Sequence, residues 1–142
     1  MKYNFTDDYI VEYKLKATER FNKLLNLDYN DRIIMGDNSD DINDKYYGSP
    51  IMNTYNGFLD HGTKMAGLIA ARRVNNIGAK GVSDNIKIMS LSICSFGDEH
   101  DKDIALAIHY AVDNGAKVIN MSFGKEFSLY NEWVIDAIKY AE

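Results

Sequence analysis

Ile86-Lys87-Ile88-Met89-Ser90-Leu91-Ser92-Ile93 is a run of strand length, rich in β-branched and apolar residues. On its C-terminal side the period changes. From Asp101 to Asn114, Ile104, Ala107, Ile108, Ala111 and Val112 fall on one side of a helix, and Gly115 supplies a stop. Lys117-Val118-Ile119-Asn120-Met121-Ser122 is a second strand-like run. Asn131 to Glu142, carrying Trp133, Ile135 and Ile138, reads as a last helix. Strand, helix, strand, helix predicts an α/β fold with a parallel sheet.

Moving towards the N-terminus, Gly62 to Arg73 is rich in small and apolar residues and reads as a helix, ended by a turn at Asn75, Asn76 and Gly78. Residues 6–27 read as a long amphipathic helix. Thr6 is its N-cap, Asp7 and Asp8 suit its positive end, and Ile10, Leu15, Phe21, Leu24 and Leu25 form an imperfect stripe. Between these two helices, Gly36 to Gly57 holds Asp37, Asp40, Asp41, Asp44, several Asn and Pro50, the composition of a loop.

The composition narrows the function. The chain has 142 residues, 46% hydrophobic and 26% charged, with a net charge of −5, which fits one ordinary soluble domain. A mildly acidic chain without a basic stripe does not grip nucleic-acid phosphates. Cys94 stands alone, so there is no internal disulfide and no multi-cysteine zinc site, and a small core role is expected for it. No apolar run approaches the roughly 20 residues that cross a bilayer, and Met1 to Asp8 has no apolar stretch of signal-peptide type. Neither nucleic acid nor membrane is an expected partner. Asp37, Ser39 and Asp41 alternate as calcium ligands do, but Ile42 stands where an EF-hand needs Gly and Gly48 where it needs Glu. The acidic loop is therefore expected to be solvated, with no metal and no cofactor.

The segment richest in chemistry is Asp60-His61-Gly62-Thr63-Lys64-Met65-Ala66-Gly67-Leu68-Ile69-Ala70-Ala71. It puts a histidine at the mouth of a helix whose Gly62, Ala66 and Gly67 leave room for close packing. An imidazole there can serve as a general base, since its ordinary pKa lies near neutrality. From spacing alone, the plainer reading is a surface histidine capping a helix.

This segment resembles the His-Gly-Thr-His-Val-Ala-Gly motif of the subtilisin-like serine proteases, the subtilases. His61, Gly62, Thr63, Ala66 and Gly67 match it; Lys64 replaces the second, non-catalytic histidine, and Met65 stands where valine is usual. Gly78 to Met89 resembles the family's Gly-Val-Ala-Pro-Asn-Val-Lys-Ile segment without its proline, and Ala116 to Gly124 resembles its Val-Ile-Asn-Met-Ser-Leu-Gly-Gly strand. Together they cover roughly residues 58–142.

The resemblance implies part of a three-layer fold with a parallel sheet, and a cleft for an extended polypeptide. His61 becomes the triad histidine. Ser122, Phe123 and Gly124 become one backbone-pairing wall of that cleft, and Ser95, Phe96 and Gly97 the opposite one. Residues 1–57 become a helix and acidic-loop insertion of the kind some bacterial members carry between Asp and His, and residues 58–142 a partial catalytic domain.

The family's triad runs Asp, His, Ser along the chain. No Asp-Ser-Gly or Asp-Thr-Gly precedes His61; Gly36-Asp37-Asn38 is the nearest imitation, and Arg32-Ile33-Ile34-Met35 is a short run before it. None of the eight serines lies in a Gly-Thr-Ser-Met-Ala context. In subtilisin, loss of the serine or histidine costs on the order of a million-fold in turnover, so the chain alone is expected to be inactive. In the family the strand bearing the Asp lies between those matching 86–93 and 117–122. Without it, marginal stability and either rearranged pairing or association with the missing parts of the catalytic domain are expected. The alternative function is a non-catalytic peptide-binding module. A small nucleotide binder is disfavoured because no phosphate-binding Gly-rich loop follows residues 86–93. Family members are commonly secreted, but nothing in the sequence assigns a compartment.

Overall fold

The structure is a computed structural model that describes residues 6–51, 61–94 and 99–142. The described residues form helices α1 (Asp7–Glu19), α2 (Arg32–Met35), α3 (His61–Ala70), α4 (Asp101–Asp113) and α5 (Asn131–Ala141), with a π-helical turn at Arg20–Leu24 continuing α1. Local signals set their ends. Thr6 caps α1, its hydroxyl accepting the Tyr9 N–H at 3.2 Å. At the end of α4, Gly115 takes φ +80°. Its N–H then reaches the Val112 carbonyl, and that of Ala116 reaches Ala111, both at 2.9 Å. This double closure answers carbonyls that the helix itself leaves unbonded.

The apolar core lies between α4 and α5, where Ile104, Ala105, Ile108, Ala111 and Ala137 are buried. Ala105 and Ala137 let the two helices approach closely. Ile42, Ile93, Ile119, Trp133 and Val134 pack around the edge.

No strand occurs among the described residues. This corrects the expected α/β fold with its parallel sheet, and the expected strands at 86–93 and 117–122 with it. A strand satisfies its backbone only through a neighbour. Among the described residues no backbone hydrogen bond joins these two segments to each other or to a third, so rearranged pairing is absent as well. Most of their large side chains face water: Ile86, Ile88, Leu91 and Met121 are exposed, and Val118 is 87% exposed, while Ile93 and Ile119 touch the core edge. β-branched composition records a fit to a half-buried sheet surface, and without that surface it does not form a strand.

The acidic loop also departs from expectation. Asp40 and Asp41 are exposed, but the Asp37 side chain is fully buried beneath α4. Its Oδ2 accepts from Arg32 at 2.8 Å and from Lys102 at 2.7 Å. Lys102 also donates to the Asn38 carbonyl at 2.6 Å. Arg32 extends the cluster to Asp103, donating at 2.8 and 3.1 Å, and the Tyr47 hydroxyl donates to the same carboxylate. Both cations lie against the Tyr47 ring, Lys102 at 4.5 Å and Arg32 at 5.4 Å from its centroid. Arg32-Ile33-Ile34-Met35 is thus a helical turn that aims its arginine inward. Gly36 ends it at φ +75°, its N–H returning to the Arg32 carbonyl at 2.7 Å.

Helix α3 stops at Ala70, three residues before the expected Arg73. Its end is bracketed by residues 81–83. The Gly81, Val82 and Ser83 N–H groups donate to the carbonyls of Ala71, Leu68 and Ile69 at 2.9, 3.0 and 3.3 Å. Arg73 closes the bracket by donating to the carbonyls of Gly81 and Val82. A Cβ at position 81 would lie 2.4 Å from the Ala71 nitrogen, so only glycine fits this approach.

This packing has consequences for both acid and mutational stability. Burial alone would raise the Asp37 carboxyl, but the Arg32 and Lys102 hydrogen bonds outweigh it and hold it below the usual carboxylate range. Burial and the bond to Asp103 push the Tyr47 phenol up. The depressed carboxyl stabilises the fold above its unfolded pKa of about 4 and loses that contribution as pH falls through the folded value. The raised phenol stabilises below its unfolded value of about 10 and loses this as pH rises through the folded one. Thermal midpoints from far-UV circular dichroism should therefore be highest between about pH 5 and pH 9. Asp37→Asn should flatten the acid limb, and an acid limb unchanged by it would refute this role. Separately, Gly81→Ala should lower stability by about 1–3 kcal/mol through overpacking. Gly67→Ala, whose Cβ meets nothing within 4 Å, should raise it by about 0.5–1 kcal/mol; urea unfolding checks both signs.

Candidate active site

His61 is the first residue of α3, and its side chain is exposed. Gly62 and Gly67 leave open space where a Cβ would stand. At the opposite end of the same helix, the last turn is bonded to residues 81–83 of the chain that follows. Asp60 lies outside the described residues.

The other two histidines are engaged elsewhere. His100 precedes α4, and its Nε2 lies 3.2 and 3.3 Å from the Asp31 carboxylate oxygens. His109 packs against Tyr140 with ring centroids 4.5 Å apart, while the Tyr140 hydroxyl donates to Asp113 at 2.6 Å. The His100–Asp31 pair is invisible in the sequence, because its partners are 69 residues apart and neither sits in a motif.

Ser122, Phe123 and Gly124 lie together on an exposed irregular segment. The Ser122 hydroxyl is engaged by Asn120, accepting from Nδ2 at 2.9 Å and donating to Oδ1 at 3.3 Å. Among the described residues, no serine hydroxyl is hydrogen-bonded to an imidazole. Gly124 has nothing within 4 Å of a built Cβ. Ser95, Phe96 and Gly97 lie outside the described residues. Cys94, expected in the core, is half-buried.

Just beyond Gly124 the chain is pinned to the start of α4. Asp101 is buried, and its carboxylate accepts from Lys125 Nζ at 2.7 Å, Ser128 Oγ at 2.8 Å and the Tyr130 N–H at 2.9 Å. Burial alone would raise this carboxyl, but the bonds from Lys125, Tyr130 and Ser128 hold it below the usual range. Lys125 also donates to the Glu99 carbonyl at 2.6 Å. Sequence reading misses this cluster, since Asp101 and Lys125 look like ordinary surface charges. Among the described residues, no group of acidic, histidine or cysteine side chains is arranged to hold a metal ion, and no helix is long and apolar enough to cross a membrane.

The chain is similar to several known proteases. It is 45% identical over 65 residues to the cell wall-associated protease of Bacillus subtilis, which is 45% of this chain and 7% of that protein. It is 37% identical over 83 residues to a thermophilic serine proteinase of a Bacillus species, covering 58% of this chain and 20% of the relative. With subtilisin-like protease 1 of Plasmodium falciparum it shares 32% identity over 113 residues, 75% of this chain and 16% of the other. The chain thus spans a fifth or less of the length of these relatives. No solved structure matches it. The sequence pattern of the Subtilase family (Peptidase_S8) matches residues 16–142, nearly the whole chain, and the chain belongs to that family.

Proposed function

We propose that this chain supplies the histidine and one substrate wall of a serine endopeptidase acting on extended polypeptides. The observation that carries the proposal is His61, exposed at the start of a helix whose last turn is bonded to residues 81–83, within a family-matched region. In this role the His61 imidazole takes the proton of a serine hydroxyl as the oxygen attacks the scissile carbonyl. It then returns a proton to the leaving amine. Water completes the cycle by hydrolysing the acyl-enzyme. Ser122 to Gly124 would present backbone N–H and C=O groups to the substrate in the manner of an added strand.

The sequence contains no Gly-Thr-Ser-Met-Ala segment. In this role the nucleophile comes from residues outside this sequence, and the 142-residue chain by itself has peptide recognition but no turnover. A non-catalytic peptide-binding role is the second reading, favoured by the same open surface at Gly124. The two share the grip on substrate and differ in the chemistry. The designation of the Bacillus subtilis relative as cell wall-associated supports placing either role outside the cytoplasm.

Treatment of the purified chain with a fluorophosphonate probe should label no serine. Serine-specific labelling lost in His61→Ala would overturn the assignment of the nucleophile elsewhere. A fluorescein-labelled alanine-rich hexapeptide should bind, and Gly124→Val should weaken that binding at least tenfold, roughly the worth of one or two backbone hydrogen bonds. A Cβ at position 124 meets nothing within 4 Å in the folded chain, and equal binding by Gly124→Val would refute the substrate wall.

A further inference from the structure

We propose that Lys125 and Asp101 are positioning residues that hold the Ser122–Gly124 wall in its peptide-binding form. This deepens the preceding reading and rests on it. A wall that recognises a peptide through its backbone must keep that backbone in one place, because each ladder bond tolerates only small displacement. Residues 122–124 make no backbone bond to another segment among the described residues, so they are held by their flanks: Ile119 packed against the α4–α5 core on one side and the anchorage of residues 125–130 on the other.

That anchorage is a three-point attachment to one carboxylate. Lys125, Ser128 and Tyr130 all donate to Asp101, at 2.7, 2.8 and 2.9 Å. The lysine is adjacent to Gly124 in sequence, and its side chain is only 14% exposed, against 3% for Asp101. Removal from water makes this pair geometrically demanding, unlike a surface bridge of little consequence. Tyr130 then stacks on Trp133 with centroids 4.2 Å apart and planes 9° from parallel, which carries the attachment into α5. Lys125 has a second duty. It donates to the carbonyl of Glu99, two residues beyond Gly97 in sequence, so one ammonium ties together the chain just beyond both segments assigned to the cleft. Asp101 belongs to α4, whose core face is the most buried part of the described residues. The wall is thereby referenced to the rigid helix pair.

The test measures binding of the fluorescein-labelled alanine-rich hexapeptide by anisotropy, with helical content and thermal midpoint from circular dichroism as separate readouts. Lys125→Met should weaken binding about tenfold or more, the loss of one or two hydrogen bonds, while α4 and α5 keep their helical signal. Lys125→Arg, which keeps the charge, should restore binding to within about threefold, and Lys125→Met/Asp101→Asn should be no weaker than the worse single variant. Equal binding by the unaltered chain and Lys125→Met would overturn the positioning role alone, as would failure of Lys125→Arg to recover any of the loss. Absence of binding by the unaltered chain would refute the peptide wall itself and the positioning role with it. Should Lys125→Met lose its helical signal, Ser128→Ala decides instead. It removes one attachment and leaves the charges paired, and is expected to weaken binding a few-fold; unchanged binding overturns the proposal.

Discussion

Three consecutive charged residues at the start of α4, Asp101-Lys102-Asp103, organise the molecule. Each is drawn out of water, and together they hold two segments of the chain. Asp101 receives residues 125–130. Lys102, fully buried, receives Asp37 and the Asn38 carbonyl. Asp103 receives Arg32 and Tyr47. Buried charges of this kind bring little net stability over an apolar packing, but they are intolerant of a missing partner. Their contribution is arrangement: they decide where the non-helical segments sit. The apolar core between α4 and α5 holds two helices together, and the charges dock the 31–47 and 125–130 segments onto them.

This arrangement accounts for what is and is not legible in the sequence. Helix ends are legible because their causes are local: a threonine three residues before the N–H it accepts, a glycine taking a left-handed conformation after Asn114. The buried face of α4 is legible from the spacing of Ile104, Ile108 and Ala111. The burial of Asp37 and Lys102 is not, because their pairing spans 65 residues and charged side chains default to solvent in any local reading. The parallel sheet is a false expectation for the opposite reason. Residues 86–93 and 117–122 have strand composition, but strand formation is a property of pairs, and no pairing partner stands beside either among the described residues.

The candidate site divides along the same line. His61 is visible because its motif is contiguous, and the structure places it at the exposed start of α3. Ser122 to Gly124 is visible for the same reason. The Asp101–Lys125 attachment is not, since it joins residues from different elements that carry no motif. Residues in a contiguous motif are easier to recognise in a sequence than the remote groups that hold them in place.

Buried charge at the start of α4 thus fixes residues 31–47 and 125–130 on the α4–α5 pair. Equilibrium unfolding of Lys102→Met in urea tests it most directly, because this side chain is wholly buried and its loss leaves two carboxylates facing one cation. The predicted result is a loss of about 3 kcal/mol or more, the scale of a broken buried pair. A change within about 0.5 kcal/mol, as for a surface lysine, would contradict it.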